Sequence, residues 1–496
     1  MPARWEGGPV ELARRDAAKA PVKPELRHAV EDWYSPATLS LLEGTPINCL
    51  LATFSAGGDA AVEKRQWQLV KEYTRQAHAR SVAVLGLVYP GADPAAVAAA
   101  AADAQLDGVA PEGEFAGGLD FAERLDRLLR ANHSSAVVVP IAPPALLLGT
   151  PWPLIAAEGT SPGVGKADSG AVAGPSGGVW LDSNMWLARL FHPGAQRPVW
   201  ISHRPRAGSP GIYARSIADA EAAGGRWLLT LDDELRAGLL RHTPEALASW
   251  HEIASTLAFF ESHSEWRNLT PFGNVGIVVD TAGKTSADSA EFVNLVARRR
   301  IPYRIVYRSG LAPDTLEGLR ALLAFDVVPL QPAERQVLRA FAARGGLVLA
   351  GPSWGGAPKE QSYTIVAEGE GEIAVYKENS PSPESVTRDL YDLVPSTDLG
   401  VSFFKQPSVL PSVSENQGGT RMLIQLVNYA TEPAGPMDLW VEGRWSTARF
   451  FAPDAAPSDL PVRQSGGRSE ITVPKLGVYG AVMCSRSESP AGRQGN

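Results

Sequence analysis

The sequence predicts an α/β protein: a (β/α)8 TIM barrel followed by a flavodoxin-like α/β domain and a small C-terminal β-sandwich. Three observations predict this fold. Apolar runs alternate with helix-like segments over the first half of the chain, a shorter alternation follows, and the last part contains short β-type runs separated by turn residues. With 496 residues, the chain also exceeds what one hydrophobic core usually organises.

The first alternation contains eight apolar runs that we interpret as strands. Several of them, such as SVAVLGLVY and SAVVVPIA, are apolar almost throughout, which is typical of parallel strands buried on both faces. Segments with apolar residues at helical spacing, such as FAERLDRLLRAN, stand between them. Eight such units predict a closed barrel. The predicted strands are 47–54, 81–88, 106–110, 136–141, 154–158, 179–182, 199–203 and 227–231.

The second alternation contains four apolar runs, NVGIVVD, YRIVY, ALLAFDVVPL and GGLVLAGP, with helical segments between them. Four strands in so short a span predict a small open parallel sheet rather than another barrel. After Gly355 the helical signals become rare, and runs such as MLIQLVNYA and VYGAVMC predict a β-sandwich. We therefore expect a barrel at 1–270, an α/β domain at 271–370, a β-domain at 371–485 and a disordered polar tail at 486–496.

Charge and composition exclude several classes of partner. The net charge is −8 at pH 7 and no run of Lys and Arg forms a basic patch, so nucleic acid is not an expected partner. No uncharged apolar stretch reaches the ~18 residues needed to span a membrane. Residues 1–20 lack the apolar core of a signal peptide, which leaves open a cytoplasmic protein or an exported one whose leader has been removed. Cys49 and Cys484 lie in apolar runs and are expected to be free thiols.

The domain order is similar to that of several glycoside hydrolases, including the trimerising bacterial β-galactosidases. GNVGIVVD, ARRRIPYRIV, ALLAFDVVPL and FAARGGLVLAGP resemble their amidotransferase-like domain, and QLVNYA to VPKLGVYGAV resembles their β-domain. The resemblance implies that the barrel acts on a carbohydrate and that the later domains shape the site or make contacts in a homo-oligomer. An amidotransferase needs a Cys nucleophile, which residues 271–370 lack, so we expect this domain to be non-catalytic.

The sequence departs from this resemblance at two barrel positions. The large retaining families place an Asn-Glu pair at the end of strand four and a Glu at the end of strand seven. In our strand assignment these ends read VVVPIAPP and VWISHRP, and neither contains a carboxylate. The usual catalytic positions therefore cannot be transferred to this chain.

Carboxylates at other strand ends are the candidates for catalysis. Glycosidic cleavage commonly uses two carboxyl groups, and barrel active sites lie at the C-terminal ends of the strands. We prefer Glu112 and Glu158, because each closes an apolar strand and precedes a Gly that lets the loop bend away, and Asp182 is the third choice. Each could equally be a solvated loop residue, a helix cap or an ion-pair partner. The remaining carboxylates at strand ends are Glu114, Asp232 and Asp233.

A second group of residues is predicted to bind the substrate. Aromatic rings stack on the C–H faces of sugars, and four Trp residues surround the predicted strands five to seven. For any one of them, a place in the core is the alternative. The predicted substrate-binding residues are Trp152, Trp180, Asn184, Trp186, Trp200, His203 and Arg204, together with Glu114, Asp232 and Asp233.

Other motifs are incomplete. No metal-ligand spacing such as His-x-x-x-His or Cys-x-x-Cys occurs, so neither a metal nor a cofactor is predicted. Ser353 lies in a G-x-S-x-G segment, but no His follows it in the chain. Two functions stay open: a hydrolase of glycosidic bonds, and a non-catalytic carbohydrate-binding or scaffold protein. The absent carboxylates favour the second, and the carboxylate-rich rim with its Trp cluster favours the first, which we prefer.

Overall fold

The computed structural model describes most of the chain in two compact units. The predicted tail lies outside the described residues except for Arg486. The described residues are 1–132, 135–167, 170–171, 179–191, 198–206, 208–209, 211–281, 286–325, 330–378, 381–395, 398–453 and 455–486. The first unit comprises Met1–Ser161, Pro198–Glu221 and Gly225–Ser264, and the second comprises Pro162–Arg197, Ala222–Gly224 and Glu265–Asn496.

The first unit contains two sheets in which every strand pair is parallel. Strands and helices are numbered here in chain order. The five-stranded sheet has the order β1 (Pro2–Trp5), β2 (Cys49–Ser55), β3 (Ala83–Val88), β4 (Gly108–Pro111) and β5 (Val137–Val138), and the four-stranded sheet has the order β13 (Arg226–Trp227), β12 (Val199–Ser202), β7 (Ile155–Glu158) and β6 (Ile141–Ala142).

Isolated parallel bridges join these two sheets. Glu112, directly after β4, pairs with Ile141 of β6, and Ala3 of β1 pairs with Leu229, which follows β13. The backbone N–H of Arg4 donates to the carbonyl of Leu229 at 2.7 Å. The α/β class is thus confirmed, and by strand pairing the unit consists of two sheets.

The first strand was missed by the sequence analysis, and one predicted strand is wrong. Pro2–Trp5 pairs with Cys49–Ala52 in β2, although its proline and arginine hide the apolar pattern. The run predicted at 179–182 is not a parallel strand, because Leu181–Asp182 pairs antiparallel with Gly163–Val164 in the second unit. Glu112 consequently follows the fourth parallel strand of the chain, not the third.

Some helices of the first unit begin at a side-chain cap. Asp59 caps α3 by accepting hydrogen bonds from the backbone N–H groups of Ala61 and Val62, and Asp93 caps α4 in the same way through Ala96. The helices of the first unit are α1 (Gly8–Ala17), α2 (Arg27–Glu31), α3 (Ala60–His78), α4 (Pro94–Asp103), α5 (Asp120–Ala131), α6 (Pro144–Leu147), α8 (Ile212–Glu221), α9 (Asp233–Leu240) and α10 (Pro244–Ser262).

Alternate residues of the parallel strands form an apolar core in the first unit. Its members come from both sheets, so the two sheets share this core. The buried members are Leu51, Leu85, Leu87, Tyr89, Ala110, Val139, Ile141, Ala156, Trp200 and Leu228.

The second unit contains a six-stranded sheet that is parallel except at one edge. The strands that the sequence predicted for the α/β domain pair side by side, and β19 at the edge runs antiparallel to β20. The order is β16 (Tyr303–Tyr307), β15 (Val275–Val279), β17 (Ala321–Ala324), β18 (Leu347–Ala350), β20 (Gly371–Tyr376) and β19 (Tyr363–Glu368). The helices of this unit are α7 (Met185–Phe191), α11 (Ser286–Arg298), α12 (Pro332–Ala343) and α13 (Pro383–Leu393).

Two antiparallel sheets complete the second unit and share one apolar core. Two short hairpins, β8 (Gly163–Val164) with β11 (Leu181–Asp182) and β9 (Lys166–Ala167) with β10 (Gly170–Ala171), belong to the same unit. The larger sheet has the order β14 (Thr270–Pro271), β22 (Val409–Glu415), β23 (Arg421–Asn428), β29 (Tyr479–Ser485), β25 (Thr447–Ala452) and β26 (Ala455–Leu460), and the smaller has β21 (Val401–Phe403), β24 (Met437–Glu442), β28 (Arg468–Val473) and β27 (Val462–Ser465). Among the described helices, none is both long and apolar enough to cross a membrane.

Candidate active site

Charged and polar side chains from four parallel strands meet at one end of the first unit. Arg4 lies on β1, Glu112 follows β4, Glu158 ends β7 and Ser202 ends β12. The guanidinium of Arg4 donates to both oxygens of Glu112, from Nη1 to Oε2 at 2.7 Å and from Nη2 to Oε1 at 2.5 Å. Its Nη2 also donates to the hydroxyl oxygen of Ser202 at 2.7 Å. Arg4 therefore ties three strand ends together.

A second carboxylate, Glu6, is buried beside Arg4. Its Oε1 accepts hydrogen bonds from Arg204 at 2.8 Å, from the hydroxyl of Tyr89 at 3.2 Å and from Arg4 at 3.3 Å. Burial alone would raise the pKa of Glu6, but the charges of Arg204 and Arg4 outweigh burial and lower it. Glu6 is thus a fixed negative charge that balances two arginines.

Glu158 has a different environment from Glu112. Partial burial raises the pKa of Glu158 above its ordinary value, and the nearby charge of Glu112 raises it further. Glu112 is held in a two-point ion pair by Arg4, whereas no ion pair to Glu158 is present among the described residues. Two neighbouring carboxyl groups in unlike environments are the arrangement that acid–base chemistry requires.

These carboxyl groups line a cavity of about 580 Å³. That volume lies within the ~300–1,000 Å³ typical of small-molecule sites. Helix α1 and the start of α3 contribute both apolar and charged residues to its lining, and the strand ends contribute charged residues. The lining includes Val10, Ala13, Arg14, Ala17, Val62, Glu63, Tyr89, Glu112, Glu158 and Arg204.

Glu63 is a buried carboxylate in the wall of this cavity. One of its oxygens accepts hydrogen bonds from the backbone N–H groups of Ala56 and Gly58, at 2.9 and 3.3 Å. The other oxygen, Oε2, is buried and has no hydrogen-bond partner within the described part of the chain. A buried acceptor without a donor is uncommon in native proteins and therefore marks Glu63 as a residue of interest.

A smaller cavity of about 290 Å³ adjoins the other side of Glu158. Glu114, which is exposed, and Phe115 contribute to its lining. Phe115 stacks on Phe121 with ring centroids 4.2 Å apart. Glu158 lines both cavities and so separates them.

The structure brings together only some of the predicted residues. Glu112, Glu158 and Arg204 line the larger cavity, and Glu114 lines the smaller one. Trp200 is 7% exposed and packs in the apolar core.

His203 and Trp152 belong to the first unit but line neither cavity. His203 is buried, and its ring stacks on Trp227 at 5.1 Å. Burial lowers the pKa of His203 from its ordinary value to about 4. Trp152 is half-buried in the segment between α6 and β7.

Asp232 and Asp233 stabilise helix α9. Asp232 caps the helix by accepting from the backbone N–H of Leu235 at 2.8 Å, and it also accepts from the hydroxyl of Tyr213 at 2.7 Å. Asp233 is ion-paired with Arg15 at 2.8 Å. Neither aspartate lines the two cavities that contain Glu158.

The other four predicted site residues lie in the second unit. The indole N–H of Trp180 donates to Asp182 at 3.2 Å, and the guanidinium of Arg298 lies 3.8 Å from the Trp180 ring centroid. Asn184 is buried, and its backbone carbonyl accepts a hydrogen bond from the backbone N–H of Ala188 in α7. Trp186 is half-buried on the same helix.

Sequence reasoning missed Arg4, Glu6, Glu63 and Tyr89. Tyr89 directly follows an apolar strand, as Glu112 and Glu158 do, so its position offered a signal. Arg4 and Glu6 offered no such signal, because β1, which contains Arg4 and directly precedes Glu6, was not recognised.

No group of His, Cys, Asp and Glu that could hold a metal ion occurs among the described residues.

Comparison with solved structures shows what this fold resembles. An α-L-fucosidase isoenzyme 2 from Paenibacillus thiaminolyticus matches with a TM-score of 0.59 and 13% identity, over 92% of this chain and 96% of that one. A β-galactosidase from Rahnella sp. R3 matches with a TM-score of 0.51 and 10% identity, over 96% of this chain and 99% of that one. The predicted resemblance to glycoside hydrolases is therefore confirmed at the level of the fold.

No protein-family model and no curated protein sequence matches the chain.

Proposed function

We propose that this protein is a glycoside hydrolase that uses Glu158 and Glu112 as its catalytic pair. The proposal rests on one observation: these two carboxyl groups line the same cavity but differ in their environments, since Glu112 is ion-paired with Arg4 and Glu158 has a raised pKa. The raised pKa of Glu158 favours its protonated form compared with an ordinary carboxyl group, which suits a general acid. The two hydrogen bonds from Arg4 fix the position of both oxygens of Glu112.

We further propose that the two parallel sheets are parts of one (β/α)8 barrel. The bridges Ala3–Leu229 and Glu112–Ile141 support this closure, because the first joins the edge strand β1 to the residues after β13 and the second joins the end of β4 to β6. With Pro2–Trp5 counted as strand one, Glu112 follows strand four, where the resembling retaining families hold a Glu. With β5 and β6 counted as one interrupted strand, Glu158 ends strand six and Ser202 ends strand seven. Strand seven has no carboxylate at its end, and Glu158 is the second carboxyl group of the proposed pair.

In the proposed reaction, Glu158 protonates the glycosidic oxygen as the bond to the leaving group breaks. Glu112 either attacks the anomeric carbon or takes a proton from the attacking water, and the structure is compatible with both. Arg4 is a positioning residue, since it fixes both oxygens of Glu112.

The test compares wild type with Glu112→Gln and Glu158→Gln on a panel of natural and aryl glycosides. Loss of either carboxyl group should lower kcat by about 10²–10⁴ on substrates with poor leaving groups. Aryl glycosides with good leaving groups need no proton, so they should restore turnover to Glu158→Gln but not to Glu112→Gln. The control is Glu114→Gln, an exposed carboxylate outside the larger cavity. Full turnover by both folded variants would refute the assignment.

The second candidate function is carbohydrate binding without catalysis. It is favoured by the ion pair of Arg4 with Glu112, which occupies both oxygens, and by the absent carboxylate after Ser202. Wild type would then bind oligosaccharides without turning over any glycoside of the panel. Calorimetric titration with the same sugars separates the two functions.

A further inference from the structure

The second unit contains a cavity of about 320 Å³ at the free edge of its parallel sheet. Strand β16 forms one side of it and, among the described strands, pairs only with β15. Helix α7 and strand β14 contribute the other sides. The lining consists of Arg189, Thr270, Pro271, Tyr303, Arg304, Ile305, Val306, Tyr307, Gly310 and Thr315.

Arg189 is a buried cation in this cavity that has no carboxylate partner among the described residues. It is 8% exposed, and its Nη2 donates to the hydroxyls of Ser412 and Ser414 and to the carbonyl of Val413, at 2.7 to 3.0 Å. These three acceptors are neutral. Burial lowers the pKa of Arg189 to about 10, so the group stays charged at neutral pH.

Two of the three guanidinium nitrogens of Arg189 are not used by the contacts that hold the side chain. Nη2 makes the three hydrogen bonds, and Nε and Nη1 have no hydrogen-bond partner within the described residues. Because Arg189 lines the cavity, these are the donors that a ligand in the cavity would use.

Arg304 adds a second cation to the same cavity. Its Nη2 donates to the carbonyl of Glu317, and its Nε is buried without a partner in the described chain. Burial lowers the pKa of Arg304, and the charges of Glu415 and Glu317 only partly oppose this. None of the described residues that line the cavity is acidic. A buried charge held only by neutral groups is costly, so Arg189 is best stabilised by an anion in the cavity, and the positive charge of Arg304 favours the same anion.

We propose that this cavity binds a small molecule through a phosphate, sulfate or carboxylate group held by Arg189 and Arg304. Guanidinium groups offer paired donors that match the oxygens of such anions. The cavity volume exceeds that of one ion and suits a ligand of small-molecule size, near the lower end of the ~300–1,000 Å³ range. This site is separate from the carboxylates of the first unit and does not depend on the proposed hydrolase activity.

The test is calorimetric titration of the full chain with inorganic phosphate, inorganic sulfate and acetate at constant ionic strength. Wild type should bind at least one of them saturably, and the preferred anion distinguishes a tetrahedral from a planar group. Arg189→Gln and Arg304→Gln should each raise Kd at least about ten-fold, because each removes charged hydrogen bonds. Arg463→Gln, which removes an equally charged but exposed side chain on β27, should leave Kd unchanged.

Two results would overturn the proposal. One is the absence of saturable binding of all three anions to the folded wild type. The other is an unchanged Kd in Arg304→Gln, whose side chain holds one backbone carbonyl and should not be needed for folding. Arg304→Gln therefore decides the matter even if Arg189→Gln, which loses the bonds to β22, fails to fold.

Discussion

Arg4 and Glu112 form a two-point ion pair between the first and the fourth parallel strands of the chain, with N–O distances of 2.7 and 2.5 Å. Arg4 has 3% of its side chain exposed and Glu112 has 22%, so the pair is largely shielded from water. Strands that lie more than 100 residues apart in the chain are joined at the site by this one contact. The ion pair thus couples the stability of the first unit to the geometry of the candidate catalytic residue.

The first prediction concerns this pair. Arg4→Gln should lower the free energy of unfolding by about 3–5 kcal/mol, because it leaves the shielded carboxylate of Glu112 without its cation and leaves Glu6 with Arg204 alone. Urea unfolding followed by circular dichroism measures the change. The control Arg130→Gln removes an exposed pair with Asp126 and should change stability by less than about 0.5 kcal/mol. Equal losses in the two variants would contradict the prediction.

The sequence predicted the carboxylates of the site but not the cation that organises them. Glu112 and Glu158 were found because each follows an apolar run, and a strand end is a local signal. Arg4 was missed because its strand contains only four residues, one of them proline and one charged, so hydrophobic alternation is absent. Its burial makes sense only with Glu6 and Glu112 beside it, and such a long-range contact leaves no trace in local sequence.

Because β1 was not recognised, the parallel strands from β2 to β7 received the wrong numbers. Without β1, Leu181–Asp182 was needed to complete eight strands, and Trp180, Asp182 and Asn184 were assigned to the site on that basis. A run of two or three apolar residues after a glycine-rich loop fits a hairpin as well as a barrel strand. Only pairing partners distinguish the two, and here the partner is Gly163–Val164.

The second prediction concerns the loop that holds Glu63. Gly57 has a φ of +67°, and a Cβ there would lie 1.9 Å from the carbonyl oxygen of Gly91. Gly44 has a similar φ of +75° but open space around it, so it is a matched control. Gly44→Ala should cost about 1–2 kcal/mol from backbone strain alone. Gly57→Ala should cost about 1–3 kcal/mol more, because the loop must move.

Thermal or urea unfolding of the two alanine variants measures this difference. The movement of the Gly57 loop should also disturb Ala56 and Gly58, whose N–H groups bind Glu63. Equal stability of Gly57→Ala and Gly44→Ala would show that the close approach to Gly91 is not maintained in solution.

The third prediction concerns pH and His203. Its folded-state pKa of about 4 lies below the ordinary value of 6.5, so the unfolded chain binds the proton more readily. The stabilisation is therefore fully present above about pH 6.5 and is lost as pH falls towards 4, by up to ~1.4 kcal/mol per pH unit. His203→Gln should flatten this part of the stability profile.

Unfolding free energies of wild type and His203→Gln between pH 7 and pH 4 measure the effect. His28→Gln, which changes an exposed histidine, should leave the wild-type slope intact. A slope that is the same in all three proteins would place the acid sensitivity in other groups.

The fourth prediction separates Trp200 from Trp152. Trp200 is 7% exposed in the apolar core of the first unit, so Trp200→Ala should lower the free energy of unfolding by about 3–5 kcal/mol. Trp152 is half-buried in a loop, and Trp152→Ala should cost much less. Chemical denaturation of both variants tests this contrast. A small loss in Trp200→Ala would argue that its ring is free to serve the substrate instead.

The fifth prediction follows from Glu158. Burial and the charge of Glu112 raise its pKa, and a general acid works only while it is protonated. Activity on a natural glycoside should therefore fall as pH rises through this raised pKa, and the high-pH limb should be absent in Glu158→Gln. Residual turnover of aryl glycosides with good leaving groups lets the variant be measured at every pH.

Glu114→Gln provides the comparison for that profile. Glu114 lines the smaller cavity with Glu158 but is exposed, so its substitution should keep the high-pH limb of wild type. If activity still falls at high pH in Glu158→Gln, another group donates the proton and Glu158 is not the general acid. Loss of the high-pH decrease in activity in Glu158→Gln alone would identify Glu158 as the acid. Glu112 would then be the residue that faces the anomeric carbon, because among the described residues it is the other carboxylate at a strand end that lines this cavity.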